Sequence, residues 1–173
     1  FLLLSGFFFF NQLYVRGNAS LEPFFDNMPL LFLFFGPAIA MRLIAEERGS
    51  GTIEMLLTMP VRDWEVVLGK YLGALGLFAV GIALTFPFAI TVSKLGPLDW
   101  GPTIGGYVGT LLLGGTYLAI GLFASALTKN QIVAFIVGLA ICFVLFVMGQ
   151  FVSAAGPTVG RIIEYISPQF HFA

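Results

Sequence analysis

Three long stretches of this chain carry no charged side chain: residues 71–93, 100–128 and 130–160. Each is longer than the roughly 20 residues that an α-helix needs to cross the hydrocarbon core of a bilayer. A fourth charge-free stretch, residues 27–41, becomes long enough to cross when its flanks extend it to residues 23–45. Because a backbone in lipid must satisfy its hydrogen bonds internally, we expect these stretches to be membrane-spanning helices.

The composition agrees with a membrane location. Hydrophobic residues make up 58% of the chain and charged residues 10%, whereas a soluble domain carries about 25% charged residues. The net charge of −1 argues against a nucleic-acid partner. The single cysteine, Cys142, excludes a disulfide within the chain and a paired-cysteine metal site. The 20 phenylalanines would be hard to bury in a soluble core of this size, and the Phe-rich stretches are expected to form surface that faces lipid.

The first apolar run is too short to cross a bilayer. Residues 1–14 would form a helix of about 20 Å, against a hydrocarbon core of about 30 Å. We therefore expect the chain to be a fragment that begins within its first span. The fold predicted is an all-α integral membrane protein, a polytopic helical bundle of about five spans with the first one partial. Residues 1–173 are expected to form a single transmembrane domain.

Basic residues give the orientation of the bundle. If the spans alternate in direction, one face of the membrane receives five basic residues and the other three. This bias favours the richer face as the cytoplasmic one. The richer face would hold Arg42, Arg48, Arg62, Lys70 and Lys129, and the other Arg16, Lys94 and Arg161.

Glycines at four-residue spacing suggest where helices pack closely. Gly101, Gly105 and Gly109 share this spacing, as do Gly69 and Gly73. Small residues at such positions let helix backbones approach each other in membranes. Chance is the alternative explanation, since the chain has 21 glycines.

The charged residues gather in one passage, residues 42–70, which contains more than half of the nine acidic and eight basic residues. Residues 49–51, Gly-Ser-Gly, are expected to break the helix that leaves the second span, and Ser50 could cap a following helix. Pro60 disfavours helical geometry just before it, so that helix would span only residues 51–59. Its apolar face would be formed by Ile53, Leu56 and Leu57.

The third span is expected to begin in water. Asp63 could cap its helix, with Glu65 near the positive end of the helix dipole. The short preceding helix would then lie parallel to the membrane. Periodicity alone leaves two interpretations open: an interfacial helix that only ties two spans together, or a docking element for a soluble partner.

The order and spacing of motifs in this passage resemble the signature of type-2 permeases of ATP-binding-cassette (ABC) transporters. The arrangement of spans on either side is also similar, so the resemblance extends over the whole chain. The matching motifs are Glu46-Glu47-Arg48, Gly51-Thr52-Ile53-Glu54, Leu56-Leu57, Thr58-x-Pro60-Val61 and Glu65-x-x-Leu68-Gly69-Lys70.

The resemblance implies a transport subunit that is not itself an enzyme. Such permeases have six spans and work as homo- or heterodimers with cytoplasmic ABC ATPases, which bind ATP and Mg²⁺. Residues 46–65 would form the cytoplasmic loop, and its helix at 51–59 would be the coupling helix that docks on the ATPase. The docking residues implied are Glu46, Glu47, Arg48, Gly51, Thr52, Ile53, Glu54, Leu56, Leu57 and Pro60.

The resemblance further implies an exporter in the cell membrane (inner or plasma membrane) of a bacterium. Residues 154–173 are similar to the outer re-entrant segment of the family. Within them, residues 165–172 resemble permeases associated with gliding motility. No cofactor is expected on this chain, and it lacks a GxxxxGK[ST] phosphate loop.

Two other classes of function remain open from the sequence. An ion-coupled secondary transporter would need ionisable groups at mid-membrane, and the long apolar stretches contain none. A membrane anchor or assembly protein would use the central helix only to recruit a soluble partner. Co-purification of an ATPase together with transport activity would separate these classes.

Overall fold

The computed structural model describes residues 1–16, 21–52, 62–96 and 98–152. These ranges are almost wholly helical, and none of them contains a β-strand. The helices are α1 (Leu2–Arg16), α2 (Glu22–Asp26), α3 (Met28–Ala40), α4 (Ala45–Ser50), α5 (Asp63–Ala83), α6 (Phe86–Leu95), α7 (Trp100–Leu127) and α8 (Gln131–Val152).

Four stretches are long and apolar enough to cross a membrane. A shorter apolar helix covers Leu2–Asn11. This pattern confirms the predicted all-α polytopic membrane fold, and the third span begins at Asp63 as expected. The four stretches are Glu22–Ser50, which joins α2 to α4, Asp63–Leu95, which joins α5 and α6, Trp100–Leu127 and Gln131–Gly149.

Helix α7 lies at the centre of the bundle, where it packs against α3, α5 and α8. Two glycines allow α3 and α7 to touch. A Cβ added at Gly36 would lie 2.8 Å from the Cβ of Tyr117, and one added at Gly121 would lie 2.7 Å from the Cβ of Ala40. Since carbon atoms do not pack at these distances, both positions need glycine for the helices to approach this closely.

The glycines singled out by their spacing lie elsewhere. Gly101 and Gly105 are exposed, whereas Gly109 is buried. A Cβ added at Gly69, Gly73 or Gly105 would meet no described atom within 4 Å. Gly69, Gly73 and Gly105 therefore make no close contact with a described residue, because the side of a helix that faces a neighbour depends on how that helix is rotated.

Many of the phenylalanines are internal. Phe9 stacks on Phe88 with ring centroids 4.7 Å apart, and the rings of Phe32 and Phe78 lie 4.6 Å apart. Of these, Phe9, Phe32 and Phe78 are buried. The expectation that the Phe-rich stretches face lipid is thus wrong for these buried rings. Other rings, including Phe7, Phe10 and Phe34, are exposed and fit it.

The third span is interrupted between α5 and α6, at Leu84 and Thr85. The Thr85 hydroxyl donates to the Ile82 carbonyl at 2.6 Å. The Tyr107 hydroxyl, on α7, donates to the Thr85 carbonyl at 3.1 Å. Backbone groups freed by the interruption are therefore satisfied inside the bundle, as an apolar surrounding requires.

Candidate functional site

The second span bends where it enters the charged passage. Helix α3 ends at Ala40, residues 41–44 form a turn, and α4 begins at Ala45. We call residues 41–44 the bend. A helix that ends and restarts leaves backbone N–H and C=O groups without partners in the helix, and buried groups of this kind are costly. Several partners of the bend therefore come from other spans.

Ser125 of α7 supplies three hydrogen bonds to the bend and the start of α4. Its hydroxyl accepts from the backbone N–H of Ile44 at 3.2 Å and of Ala45 at 2.9 Å. It donates to the Met41 carbonyl at 2.9 Å. One hydroxyl has one donor and two acceptor lone pairs, so this arrangement uses its whole capacity. Ser125 is fully buried.

Lys70, near the start of α5, holds the bend from another direction. Its ammonium donates to the Leu43 carbonyl at 2.8 Å and forms an ion pair with the Glu47 carboxylate. Both side chains are partly shielded from solvent, with exposures of 20% for Lys70 and 27% for Glu47. The two ends of the charged passage are thereby joined.

Helix α4 rests on the end of α7 and on the turn that leads to α8. The Arg48 guanidinium donates to the Ala126 carbonyl, in the last turn of α7. Carbonyls there lack helical partners, and the end of a helix favours positive charge. A Cβ added at Gly49 would lie 2.7 Å from the Lys129 carbonyl oxygen, so the two backbones are in direct contact.

Helix α4 ends at Gly51, whose φ of 78° is left-handed. Such a conformation favours glycine and is a common way to end a helix. The Ser50 hydroxyl donates to the Glu46 carbonyl at 2.9 Å, one turn back, and shares a hydrogen bond with the Thr52 hydroxyl at 2.9 Å. The predicted break at 49–51 is thus displaced: Gly49 and Ser50 belong to α4, and only Gly51 ends it. The Ser50 hydroxyl bonds to a carbonyl of α4 itself.

The start of α5 also differs from the prediction. Arg62 is the N-cap residue, with extended backbone, and Asp63 is the first residue of the helix. The prediction that Asp63 caps the helix is therefore wrong. The Glu65 carboxylate accepts from the Arg62 N–H at 3.0 Å, which satisfies a backbone donor at the helix start.

The predicted docking residues divide into two groups. Glu46, Gly51 and Thr52 are exposed, whereas Glu47 and Arg48 are half-buried and engaged with Lys70 and α7. The rest, Ile53, Glu54, Leu56, Leu57 and Pro60, lie outside the described residues, as do most of the predicted helix at 51–59 and the segment 154–173.

Sequence reasoning missed Ser125. Its only signal was a hydroxyl near the end of an apolar span, four residues before Lys129. Such a serine more often bonds to a carbonyl of its own helix, as Ser93 does with Ile90 at 2.8 Å. The described ranges contain no group of three or more His, Cys, Asp or Glu residues that could hold a metal ion. The candidate site is therefore defined by the hydrogen bonds and the ion pair that hold the charged passage to the spans.

A comparison with protein families decides the relationship. A family model described as "ABC-2 family transporter protein" matches residues 11–173, almost the whole chain. This chain belongs to the ABC-2 transporter family. No curated protein and no solved structure gave a match.

Membership of the ABC-2 family makes the chain a multi-pass membrane permease of an ABC transporter and implies partnership with an ABC ATPase. The match is to the ABC-2 family as a whole, so the gliding-motility subgroup is not confirmed. In this ABC-2 chain, the hydrogen bonds of Ser125, Lys70 and Arg48 lie where the charged passage meets the spans.

Proposed function

We propose that this chain is the permease subunit of an ATP-driven exporter and that residues 46–60 receive the motion of a separate cytoplasmic ATPase. The observation that carries this proposal is the anchoring of the passage at both ends. Ser125 and Lys70 bond to the backbone of the bend, and Arg48 bonds to α7. Through these contacts a displacement of the passage would be passed to the third and fourth spans as well as to the second.

The proposed mechanism is mechanical. ATP and Mg²⁺ are bound by the partner ATPase, since this chain lacks a phosphate loop. Closure of the ATPase pair displaces the docked residues 51–59, and the attached spans follow as rigid bodies. Polar contacts to the ATPase come from Glu46 and Glu54, and apolar contacts from Ile53, Leu56 and Leu57. Alternating inward and outward openings then move the substrate.

The orientation supports a cytoplasmic docking site. Lys70 pairs with Glu47, Arg48 contacts the end of α7, and Gly49 lies against Lys129. These contacts gather basic residues at one end of the bundle, which the positive-inside rule favours as the cytoplasmic end. The protein would accordingly lie in the inner or plasma membrane of a bacterium.

A second permease would complete the pathway. The spans over α5–α6 and over α8 are the least buried of the four, with 28% and 22% of their apolar windows inside the bundle. Exposed apolar side chains on them include Leu72, Leu77, Ile136 and Phe143. These surfaces are free to face lipid or a second permease, identical or different, as the proposed dimer requires.

The test is an uncoupling experiment on the complete transporter. The double variant Glu54→Lys with Leu56→Asp places a reversed charge and a carboxylate on the proposed docking helix. We expect normal insertion and continued ATP hydrolysis by the ATPase, but loss of transport. A matched control is Lys94→Glu, a charge reversal at the opposite end of the bundle that should leave coupling unchanged. Normal coupling in the double variant would overturn the proposal.

The same preparation addresses the two alternatives. A non-ATPase partner would favour an anchor or assembly role. Transport driven by an ion gradient without ATP would favour a secondary transporter. The described spans argue against the latter, because Asp26, near the start of the second span, is exposed and the apolar stretches 71–93, 100–128 and 130–160 carry no charge.

A further inference from the structure

The bend of the second span could act as a hinge. Few helical bonds hold it: the Met41 N–H donates to the Pro37 carbonyl at 2.9 Å, and the Leu43 N–H donates to the Ala40 carbonyl at 3.1 Å. The N–H of Ile44, the N–H of Ala45 and the carbonyl of Met41 instead find a partner in Ser125. Without that partner, a force on α4 would be absorbed by the bend rather than passed to α3.

Ser125 can reach the bend only because the helices approach closely beside it. Gly121 lies one turn before Ser125, and a Cβ added there would meet Ala40, the last residue of α3, at 2.7 Å. A serine side chain is short, so its hydroxyl bonds to the backbone of another helix only when the two backbones nearly touch. The close contact and the hydroxyl therefore form one structural unit.

The attachment continues along α4. After Ser125, the next contacts are the Ala126 carbonyl with Arg48 and the Lys129 carbonyl with the backbone at Gly49. The three contacts occur in the same order along α4 as they do along the end of α7 and the turn that leads to α8. Helix α4 is thus joined to the fourth and fifth spans and not only to the second.

We infer that Ser125 is a positioning residue that locks the bend, so that α4 and the α7–α8 turn move as one rigid body when the docking loop is displaced. This inference rests on the proposed function for the source of the displacement. The locking itself is a property of the permease alone. The two can therefore be tested separately.

The first experiment uses the full-length permease in lipid nanodiscs without any ATPase. Nitroxide labels are attached through Ser50→Cys and Asn130→Cys, both exposed positions outside the predicted docking residues, in a Cys142→Ala background. Double electron–electron resonance then measures the distance between α4 and the α7–α8 turn. We expect a narrow distribution in the parent protein and a broad or shifted one after Ser125→Ala.

The matched control is Ser93→Ala, which removes the same hydroxyl from a serine that bonds to Ile90 of its own helix. It should leave the distribution narrow. Ser125→Thr keeps the hydroxyl without adding a thiol and should give a narrower distribution than Ser125→Ala. A distribution in Ser125→Ala equal to that of the control would overturn the inference. If Ser125→Ala does not insert, Ser125→Gly, which also lacks the hydroxyl, decides by the same comparison with Ser93→Ala.

The second experiment adds the ATPase with nucleotide trapped by vanadate, using labelled protein that still binds the ATPase. In the parent protein the α4-to-turn distance should stay constant, because the two parts move together. In Ser125→Ala it should change on trapping, because α4 follows the ATPase alone. A constant distance in both proteins would overturn the rigid-body role. Failure of the ATPase to bind the parent protein would refute the proposed function, while the nanodisc result would still decide the locking.

Discussion

The Lys70 ammonium forms an ion pair with the Glu47 carboxylate and at the same time donates to the Leu43 carbonyl at 2.8 Å. Lys70 lies at the start of the third span, whereas Leu43 and Glu47 follow the second. One side chain therefore links the two ends of the charged passage. The backbone contact distinguishes this lysine from an ordinary surface ion-pair partner.

Removal of the ion pair should affect local order more than global stability. In a double-mutant cycle of Lys70→Met and Glu47→Gln, we expect a coupling energy of about 0.5–1 kcal/mol, the upper part of the range for partly exposed pairs. Thermal unfolding in detergent measures the energy, and hydrogen exchange of residues 41–48 should speed up in Lys70→Met. Lys94→Met, at an exposed position, is the control. Strict additivity in the cycle would argue against the pair.

Close packing of α3 on α7 should be sensitive to a single methyl group. Gly36→Ala places a Cβ 2.8 Å from the Cβ of Tyr117, so the helices must separate or shift, at a cost of about 1–3 kcal/mol. Gly76→Ala is the matched control, because a Cβ there meets no described atom within 4 Å. Unfolding midpoints of the two variants test this difference. Equal midpoints would contradict the packing of these helices.

The end of α4 should depend on the backbone conformation of Gly51. A Cβ at this position meets no described atom within 4 Å, so among the described residues the cost of Gly51→Ala comes from its φ of 78°. We expect about 1–2 kcal/mol, and a smaller cost for Gly51→Asn, since asparagine tolerates left-handed geometry better. Hydrogen exchange of the last turn of α4 reports the loss. An alanine variant no less ordered than the asparagine variant would rule out this explanation.

The stability of the interrupted third span should depend on the Tyr107 hydroxyl of α7. Tyr107→Phe removes the donor to the Thr85 carbonyl and should destabilise the fold by about 1 kcal/mol, a typical value for a hydrogen bond between membrane helices. Thr91→Val serves as a control, because the Thr91 hydroxyl bonds to Pro87 of its own helix and is exposed. Thermal unfolding compares the two. Equal effects would mean that the interhelical bond contributes nothing specific.

The sequence was sufficient for the class of fold and most span boundaries. The start of α7 at Trp100, the start of the third span at Asp63 and the turn at Lys129 all lie where charge and apolar length predict them. These features follow from local composition, because hydrocarbon excludes charge over any segment that crosses it. The motifs of the charged passage likewise indicated the family that the comparison confirmed.

Sequence rules for helix ends were less accurate within the charged passage. The left-handed Gly51 ends α4, but the sequence predicted that Gly49 and Ser50 would also break the helix. The sequence also predicted Asp63 as the N-cap of α5, whereas the N-cap is Arg62. Gly49 is in the helix because its backbone lies against Lys129, some 80 residues later in the chain. No pattern within a window of ten residues contains that contact.

The sequence by itself determined that this is a polytopic helical membrane protein with one charged loop of unusual length. Only the tertiary structure decided that Ser125 and Lys70 complete the bend beside that loop, that Gly36 and Gly121 rather than Gly105 bring helices together, and that Phe9 and Phe32 are internal. The physical reason is that hydropathy acts on each segment alone. Contacts between spans depend on the rotation and depth of each helix, which are set by all of its neighbours at once.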